Sequence, residues 1–160
     1  MNPMAEMYLE RAENEFAAAG MLMEVSRNQT LQKEQFRIEK NFTFYSAVIS
    51  HSYYCIFYSA KAILLSEGIK TDSPDIHKKT FEAFEAFFVK TGKLDVQLLM
   101  IYKKMMLRAE ELLGIYSLEK KKRGEYTYQK LPQANMEPAG ESLKNASLFF
   151  KAINGILRKL

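Results

Sequence analysis

The spacing of apolar residues constrains this fold more than any other feature of the chain. Apolar side chains recur three or four positions apart in several segments, and such spacing places each set along one stripe of a helix. No strand-like alternation of apolar and polar residues stands out. The sequence therefore predicts an all-α protein with well over half of its residues in helices. The predicted inward positions are Leu9, Ala12, Phe16, Ala19, Met23; Tyr45, Val48, Ser52, Cys55, Ile56, Ala60, Ile63; Leu98, Tyr102, Met105, Leu112, Tyr116; and Leu143, Ala146, Phe150, Ile153, Leu157, Leu160.

The first two long helices are predicted over about residues 3 to 26 and 42 to 67. Gly68 follows the second of these, the central helix, where a left-handed C-cap favours glycine. The polar segment 29–40 lacks periodicity, and both a loop and an extra helical turn remain open for it.

Three further helices are expected. Ser73 and Pro74 predict the N-cap and first turn of the third, which carries four phenylalanines and stops at Gly92. The fourth starts near residue 95, has a candidate bend at Gly114, and ends in the cations of residues 120–123, which suit the negative end of the helix dipole. Residues 124–133 are predicted to form a loop, and Asn135 is predicted to cap the last helix. The four phenylalanines are Phe81, Phe84, Phe87 and Phe88, all expected in the core.

Five amphipathic helices joined by mostly short turns must cover one another's apolar stripes. An antiparallel up-and-down bundle is the simplest arrangement that does so. The length of 160 residues suits one domain, 1–160, and no linker or internal repeat interrupts it. No basic leader is visible, and the longest apolar run, residues 16–23, is too short to span a bilayer. We expect a cytoplasmic protein without membrane contact.

Few residues offer metal or covalent chemistry. His51 and Cys55 lie four apart on one helix face, but Cys55 is more simply interpreted as a small buried hydrophobe. Zinc would need further ligands, and only His77 remains among the histidines. The Glu-x-x-His pattern of di-iron bundles and the glycine-rich phosphate loops are missing. We therefore predict no metal and no cofactor.

Residues 120–130 interleave lysines and one arginine with two tyrosines. Such a segment can hold a phosphate backbone while stacking a base. A solvated helix end with locally packed tyrosines is the simpler alternative. The net charge of +4 agrees with an anionic partner but is too small to require one.

Two longer motifs give the chain a family resemblance. Residues 53–62 read Tyr-Tyr-x-x-Phe-Tyr-x-Ala-Lys-Ala, and residues 88–95 read Phe-Val-Lys-Thr-Gly-x-Leu-Asp. Shorter matches at residues 8–12, 77–78 and 124–126 extend the likeness over nearly the whole chain. In these motifs the sequence resembles the HEPN family of small helical proteins, in the branch often encoded beside a minimal nucleotidyltransferase. The resemblance implies a helical bundle that forms a homodimer and belongs to a toxin–antitoxin or defence pair.

The resemblance also implies metal-independent RNA cleavage by an arginine and a histidine separated by four to six residues. Gly124-Glu125-Tyr126 sets one register, in which Lys121 occupies the arginine position and Tyr126 the histidine position. Arg123 sets the other, in which Tyr128 occupies the histidine position. The histidine is missing in both, and tyrosine, with a pKa of about 10, is a poor base at neutral pH.

Carried onto this chain, the family chemistry assigns roles to the basic segment. Arg123 or Lys121 would bind the phosphate, Tyr126 or Tyr128 would orient the 2′ hydroxyl or the leaving group, and Glu125 would position the cation or accept the proton. The residues expected to bind nucleotide or RNA are Lys122, Tyr128 and Lys130. Tyr128 is also a candidate acceptor for adenylylation by the partner nucleotidyltransferase. The alternative function is a non-catalytic nucleotide- or RNA-binding module that docks that partner.

Overall fold

The computed structural model describes residues 2–113 and 135–159. Across these two ranges there is no strand, so the all-α prediction is confirmed. None of the helices in the described ranges is long and apolar enough to cross a membrane. The α-helices are α1 (Pro3–Arg27), α2 (Gln29–Phe36), α3 (Tyr45–Ser66), α4 (Ile76–Phe84), α5 (Val96–Leu113) and α6 (Met136–Leu157), and a π-helical turn (Glu85–Val89) continues α4.

The four long helices alternate in direction along the chain. α1 is antiparallel to both α3 and α6, and α5 is antiparallel to α6, because early residues of each helix meet late residues of its neighbour. The predicted up-and-down bundle is therefore confirmed for α1, α3, α5 and α6. The contacts that define these directions are Tyr8 with Tyr58, Glu15 with His51, Glu6 with Arg158, Phe16 with Phe150, Tyr102 with Phe149, and Arg108 with Glu141.

The middle of the bundle is α3, which packs against α1, α4, α5 and α6. Its buried residues surround the helix instead of forming one stripe, which is typical of a helix enclosed by others. The α3 helix ends as predicted: Gly68 has a φ of 76°, and its N–H donates to the carbonyl of Leu65 while the N–H of Ile69 donates to that of Leu64. This pair of bonds is the Schellman motif.

The polar segment after α1 forms the separate helix α2. The Asn28 side chain accepts a hydrogen bond from the N–H of Leu31 at 2.9 Å and so caps it. Gln32 is fully buried, and its amide bonds to the carbonyl of Val25 at 2.7 Å and to both backbone groups of Phe42. These bonds join residues seven and ten positions apart, which explains why a segment without apolar periodicity is ordered.

Two predictions about the third helix are wrong. The N-cap is Asp75 in the left-handed conformation, not Ser73, and the helix begins at Ile76; aspartate tolerates that conformation better than most residues do. Phe84 and Phe88, four residues apart, are buried, but Phe87 is 45% exposed because it lies to the side of their shared face. The predicted bend at Gly114 and the continuation of the fourth helix lie outside the described residues.

Candidate functional site

The residues predicted from the family resemblance to form the site all lie between Leu113 and Asn135. This part of the chain is outside the described residues, so their roles stay predictions. The residues concerned are Lys121, Lys122, Arg123, Glu125, Tyr126, Tyr128 and Lys130.

The structure describes a second set of polar and aromatic side chains where α1 packs on α3, which we call the α1–α3 seam. On each helix the consecutive members are three or four positions apart, so each set lies along one side of its helix. Because the helices are antiparallel, the two sets meet along their length. The seam consists of Tyr8, Arg11 and Glu15 on α1 and His51, Tyr54, Tyr58 and Lys61 on α3.

At one end of the seam, Glu15 holds His51. The carboxylate Oε2 lies 2.5 Å from Nδ1 of the imidazole, and the two side chains are 26% and 35% exposed. With Nδ1 donating to the carboxylate, Nε2 is the nitrogen left to accept a proton, and no hydrogen bond to it occurs among the described residues. This pair has the arrangement of an oriented general base.

One turn beyond His51, Cys55 is fully buried. Burial raises the pKa of its thiol to about 12, so no thiolate is present at neutral pH. The interpretation of Cys55 as a small buried hydrophobe is confirmed, and the imidazole has no thiol nucleophile to activate.

In the middle of the seam, a guanidinium covers two tyrosine rings. Tyr8 and Tyr58 stack with centroids 5.9 Å apart, and the Arg11 guanidinium carbon lies 5.7 and 5.8 Å from the two centroids. Tyr54 is next in line, 5.9 Å from Tyr58, and burial raises the pKa of its phenol, with smaller contributions from Tyr58 and Glu15. In the middle of the seam, the Arg11 guanidinium and the three tyrosine rings are therefore half-buried or exposed, whereas Lys61 at the far end is buried.

The aromatic motif on α3 also surrounds a second histidine, at the start of α4. The Tyr53 hydroxyl lies 2.8 Å from Nδ1 of His77, whose ring centroid is 4.3 Å from that of Phe57. Burial lowers the pKa of His77, and the charge of Lys61 lowers it further, which favours the neutral imidazole in this contact. Tyr53 and Phe57 are thus core residues that anchor α4, whereas Tyr54 and Tyr58 reach the surface.

A polar cluster joins α5 to the start of α6, the two helices that precede and follow the basic segment in the sequence. Arg108 of α5 donates to the Ser142 hydroxyl at 2.8 Å, to the Pro138 carbonyl at 3.2 Å and to the Glu141 carboxylate at 2.9 Å. Lys104 also binds Glu141, and these hydrogen bonds from Lys104 and Arg108 lower the pKa of that carboxyl. The cluster holds the last turns of α5 against the first turns of α6.

Sequence reasoning did not find the Glu15–His51 pair or the Arg108 cluster. Glu15 and His51 are thirty-six residues apart, and the partners of Arg108 are thirty to thirty-four residues from it, so no local spacing relates them. Among the described residues, no group of three or more His, Cys, Asp or Glu side chains is placed to hold a metal ion.

Comparison with known proteins finds two relatives. A UPF0332 protein of Thermotoga maritima is 30% identical over 121 residues, which cover 76% of this chain and 78% of that protein. A Methanocaldococcus jannaschii protein named "Putative toxin MJ0142" is 34% identical over 86 residues, or 48% of this chain and 56% of the relative. The match therefore spans little more than half the length of the second relative. No family model matches the sequence, and no solved structure does.

Proposed function

We propose that this chain, which belongs to the UPF0332 protein family, is the toxin-like member of a toxin–antitoxin or defence pair and that it cleaves RNA without a metal. The observation that carries the proposal is the similarity to the Methanocaldococcus jannaschii relative, whose name describes a toxin. The two HEPN-like motifs, residues 53–62 and 88–95, support RNA as the target.

In the proposed reaction, the ribose 2′ oxygen attacks the adjacent phosphorus, and the bond from phosphorus to the 5′ oxygen breaks. The products are a 2′,3′-cyclic phosphate and a 5′ hydroxyl. The attack requires an acceptor for the 2′ proton, a donor for the leaving oxygen, and positive charge near the phosphorane. Arg123 or Lys121 supplies the charge, and Tyr126 or Tyr128 orients the 2′ hydroxyl or the leaving group.

The basic segment contains no histidine that could accept the 2′ proton. Neither register of the arginine–histidine motif contains histidine, and Glu125 is the carboxylate available there. The Glu15–His51 pair supports a different source, because its imidazole is already oriented and partly exposed. We propose His51 as the acceptor, with Glu125 as the alternative.

A second copy of the chain is part of the proposal. Val96, Met100 and Leu107 are 53%, 59% and 50% exposed, and their spacing places them along one face of α5. Exposed apolar side chains that share one helix face are typical of contact surfaces. Since α5 precedes the basic segment in the sequence, pairing through this face with the two α5 helices parallel would bring two such segments together in a homodimer.

The competing function is a non-catalytic module that binds nucleotide or RNA and docks a minimal nucleotidyltransferase. The missing histidine at residues 126 and 128 favours it. Adenylylation is a separate possibility, by which the partner would silence the toxin: the Tyr128 phenol oxygen attacks the α-phosphorus of ATP in the partner's active site, the phenol proton is lost, and pyrophosphate leaves. Mass spectrometry after incubation with the partner and ATP tests this step, and no AMP on Tyr128 would contradict it.

The deciding experiment is cleavage of total RNA in EDTA by purified protein. Arg123→Ala and His51→Gln should each lower the rate by about 100-fold or more, the usual contribution of a positioned acid or base. Tyr126→Phe tests the orienting phenol, and Lys151→Ala, an exposed change on α6, is the control. Loss of activity in Glu125→Gln but not in His51→Gln would assign the acceptor to Glu125. Wild-type protein that binds RNA without cutting it would favour the module.

A further inference from the structure

The end of the seam opposite His51 opens into a cavity of about 390 Å³. Its wall includes the first turn of α1, the last turns of α3 and the loop that follows α3. Pockets for small molecules are usually of this size or larger, and they combine apolar walls with a few polar groups. The lining residues used below are Met4, Tyr8, Lys61, Leu65, Lys70 and Asp72.

A buried lysine is the distinctive group in this wall. Lys61 is only 4% exposed, and its ammonium donates to the Thr71 carbonyl at 2.7 Å and lies 4.9 Å from the centroid of the Tyr8 ring. No carboxylate lies within 4.0 Å of this ammonium among the described residues. A buried cation without a counter-ion is costly, and a neutral carbonyl and a ring face balance its charge only in part.

The other groups around the cavity leave its net charge positive, so an anionic ligand would balance the charge of Lys61. Exposed Lys70 adds a second cation, Asp72 adds one carboxylate, and the first turn of α1, the positive end of its dipole, forms part of the wall. Met4, Tyr8 and Leu65 make the remaining surface apolar. The cavity therefore combines a net positive charge with an apolar wall.

We propose that this cavity binds a small organic anion whose carboxylate or phosphate contacts Lys61 and whose apolar body packs on Tyr8 and Leu65. This site lies at the end of the seam opposite His51. It gives the protein a ligand of its own, whether or not the protein cuts RNA.

The test is a two-dimensional NMR titration of the full chain with four probes. Benzoate and phenyl phosphate have both an anionic group and a ring, benzyl alcohol lacks the charge, and inorganic phosphate lacks the ring. We expect saturable shifts of the Thr71 and Asp72 amides with benzoate, phenyl phosphate or both. The affinities of the other two probes should be at least about tenfold weaker, because benzyl alcohol lacks the charge-assisted hydrogen bond and inorganic phosphate lacks the apolar ring that the wall would bury. The stronger of the two anions identifies the preferred headgroup.

Variants separate the ligand site from a merely structural lysine. Lys61→Met keeps the length of the side chain and should weaken anion binding at least about tenfold. Lys70→Met, on the surface, should weaken it about threefold without affecting folding, and Lys151→Met is the matched control. Any of three results overturns the proposal. They are equal anion binding by wild type and both cavity variants, binding of benzyl alcohol as tight as that of the two aromatic anions, and no saturable shift with either anion. Because RNA cleavage is measured separately, its loss or persistence does not alter this result.

Discussion

The aromatic core under α4 offers the sharpest test of how this fold is held together. Phe84 is fully buried, and its ring centroid lies 5.8 Å from that of Phe88, 5.7 Å from Tyr102 and 5.4 Å from Phe149. One side chain thus joins α4 to both α5 and α6. Replacing it with alanine removes these contacts and leaves a cavity among rings that cannot collapse easily.

We expect Phe84→Ala to lower the free energy of unfolding by about 4 kcal/mol, within the range of about 3 to 5 kcal/mol for buried phenylalanine. The total stability of a domain is about 5 to 15 kcal/mol, so this loss is a large part of it. The melting temperature should fall by roughly 8 to 16 °C, at about 2 to 4 °C per kcal/mol for a chain of this size. Phe84→Leu retains most of the volume and should cost about 1 to 2 kcal/mol.

The assay is equilibrium unfolding in urea followed by circular dichroism, with Phe87→Ala as the matched control. Phe87 is 45% exposed on the same segment, so its removal should cost less than about 1 kcal/mol. If Phe84→Ala loses under about 2 kcal/mol, or if the two alanine variants lose equal amounts, the assigned packing of α4 is wrong. Phe84→Leu keeps the comparison usable if the alanine variant does not fold.

Three other predictions concern buried polar groups. The pKa of His77 is lowered in the fold from its ordinary value of 6.5, so the unfolded chain binds this proton more readily than the folded protein does. The free energy of unfolding should therefore fall as the pH drops below about 6.5. Urea unfolding of His77→Phe should show a weaker fall over the same pH range. Ser52→Ala should raise the free energy of unfolding by about 1 kcal/mol, because the buried Ser52 hydroxyl has no hydrogen-bond partner in the described structure. Ser59→Ala should lower the free energy of unfolding by about 1 kcal/mol, because the Ser59 hydroxyl donates to the Cys55 carbonyl at 2.7 Å. A thiol reagent such as DTNB should label Cys55 only after unfolding, and rapid labelling of the native protein would contradict its burial.

Much of the fold was predictable because helix periodicity is a local property of the chain. Leu9, Ala12, Ala19 and Met23 were assigned to the core from their spacing alone, and all four are buried. The C-cap at Gly68 was predictable for the same reason, since it depends on one residue's freedom to adopt a positive φ. Local rules failed at Ser73, where serine and proline resemble a helix start but the loop delays α4 until residue 76.

The candidate site was less accessible to sequence reasoning. The family-derived residues from Lys121 to Lys130 lie outside the described structure and stay predictions. Gln32 and Phe87 show why residue type alone does not predict burial. Gln32 is buried although it is polar, because its amide bonds to the backbone of Phe42, and Phe87 is exposed although it is apolar, because Phe84 and Phe88 occupy the core.

The sequence by itself determined that this protein is helical and which side of α1 faces inward, because both depend on residues a few positions apart. Only the tertiary structure decided that Glu15 orients His51 and that Lys61 is buried beside a cavity without a carboxylate partner among the described residues. The physical reason is the antiparallel packing of α1 on α3. It brings together side chains that are distant in the chain, and their burial and charge then follow from neighbours that sequence spacing does not identify.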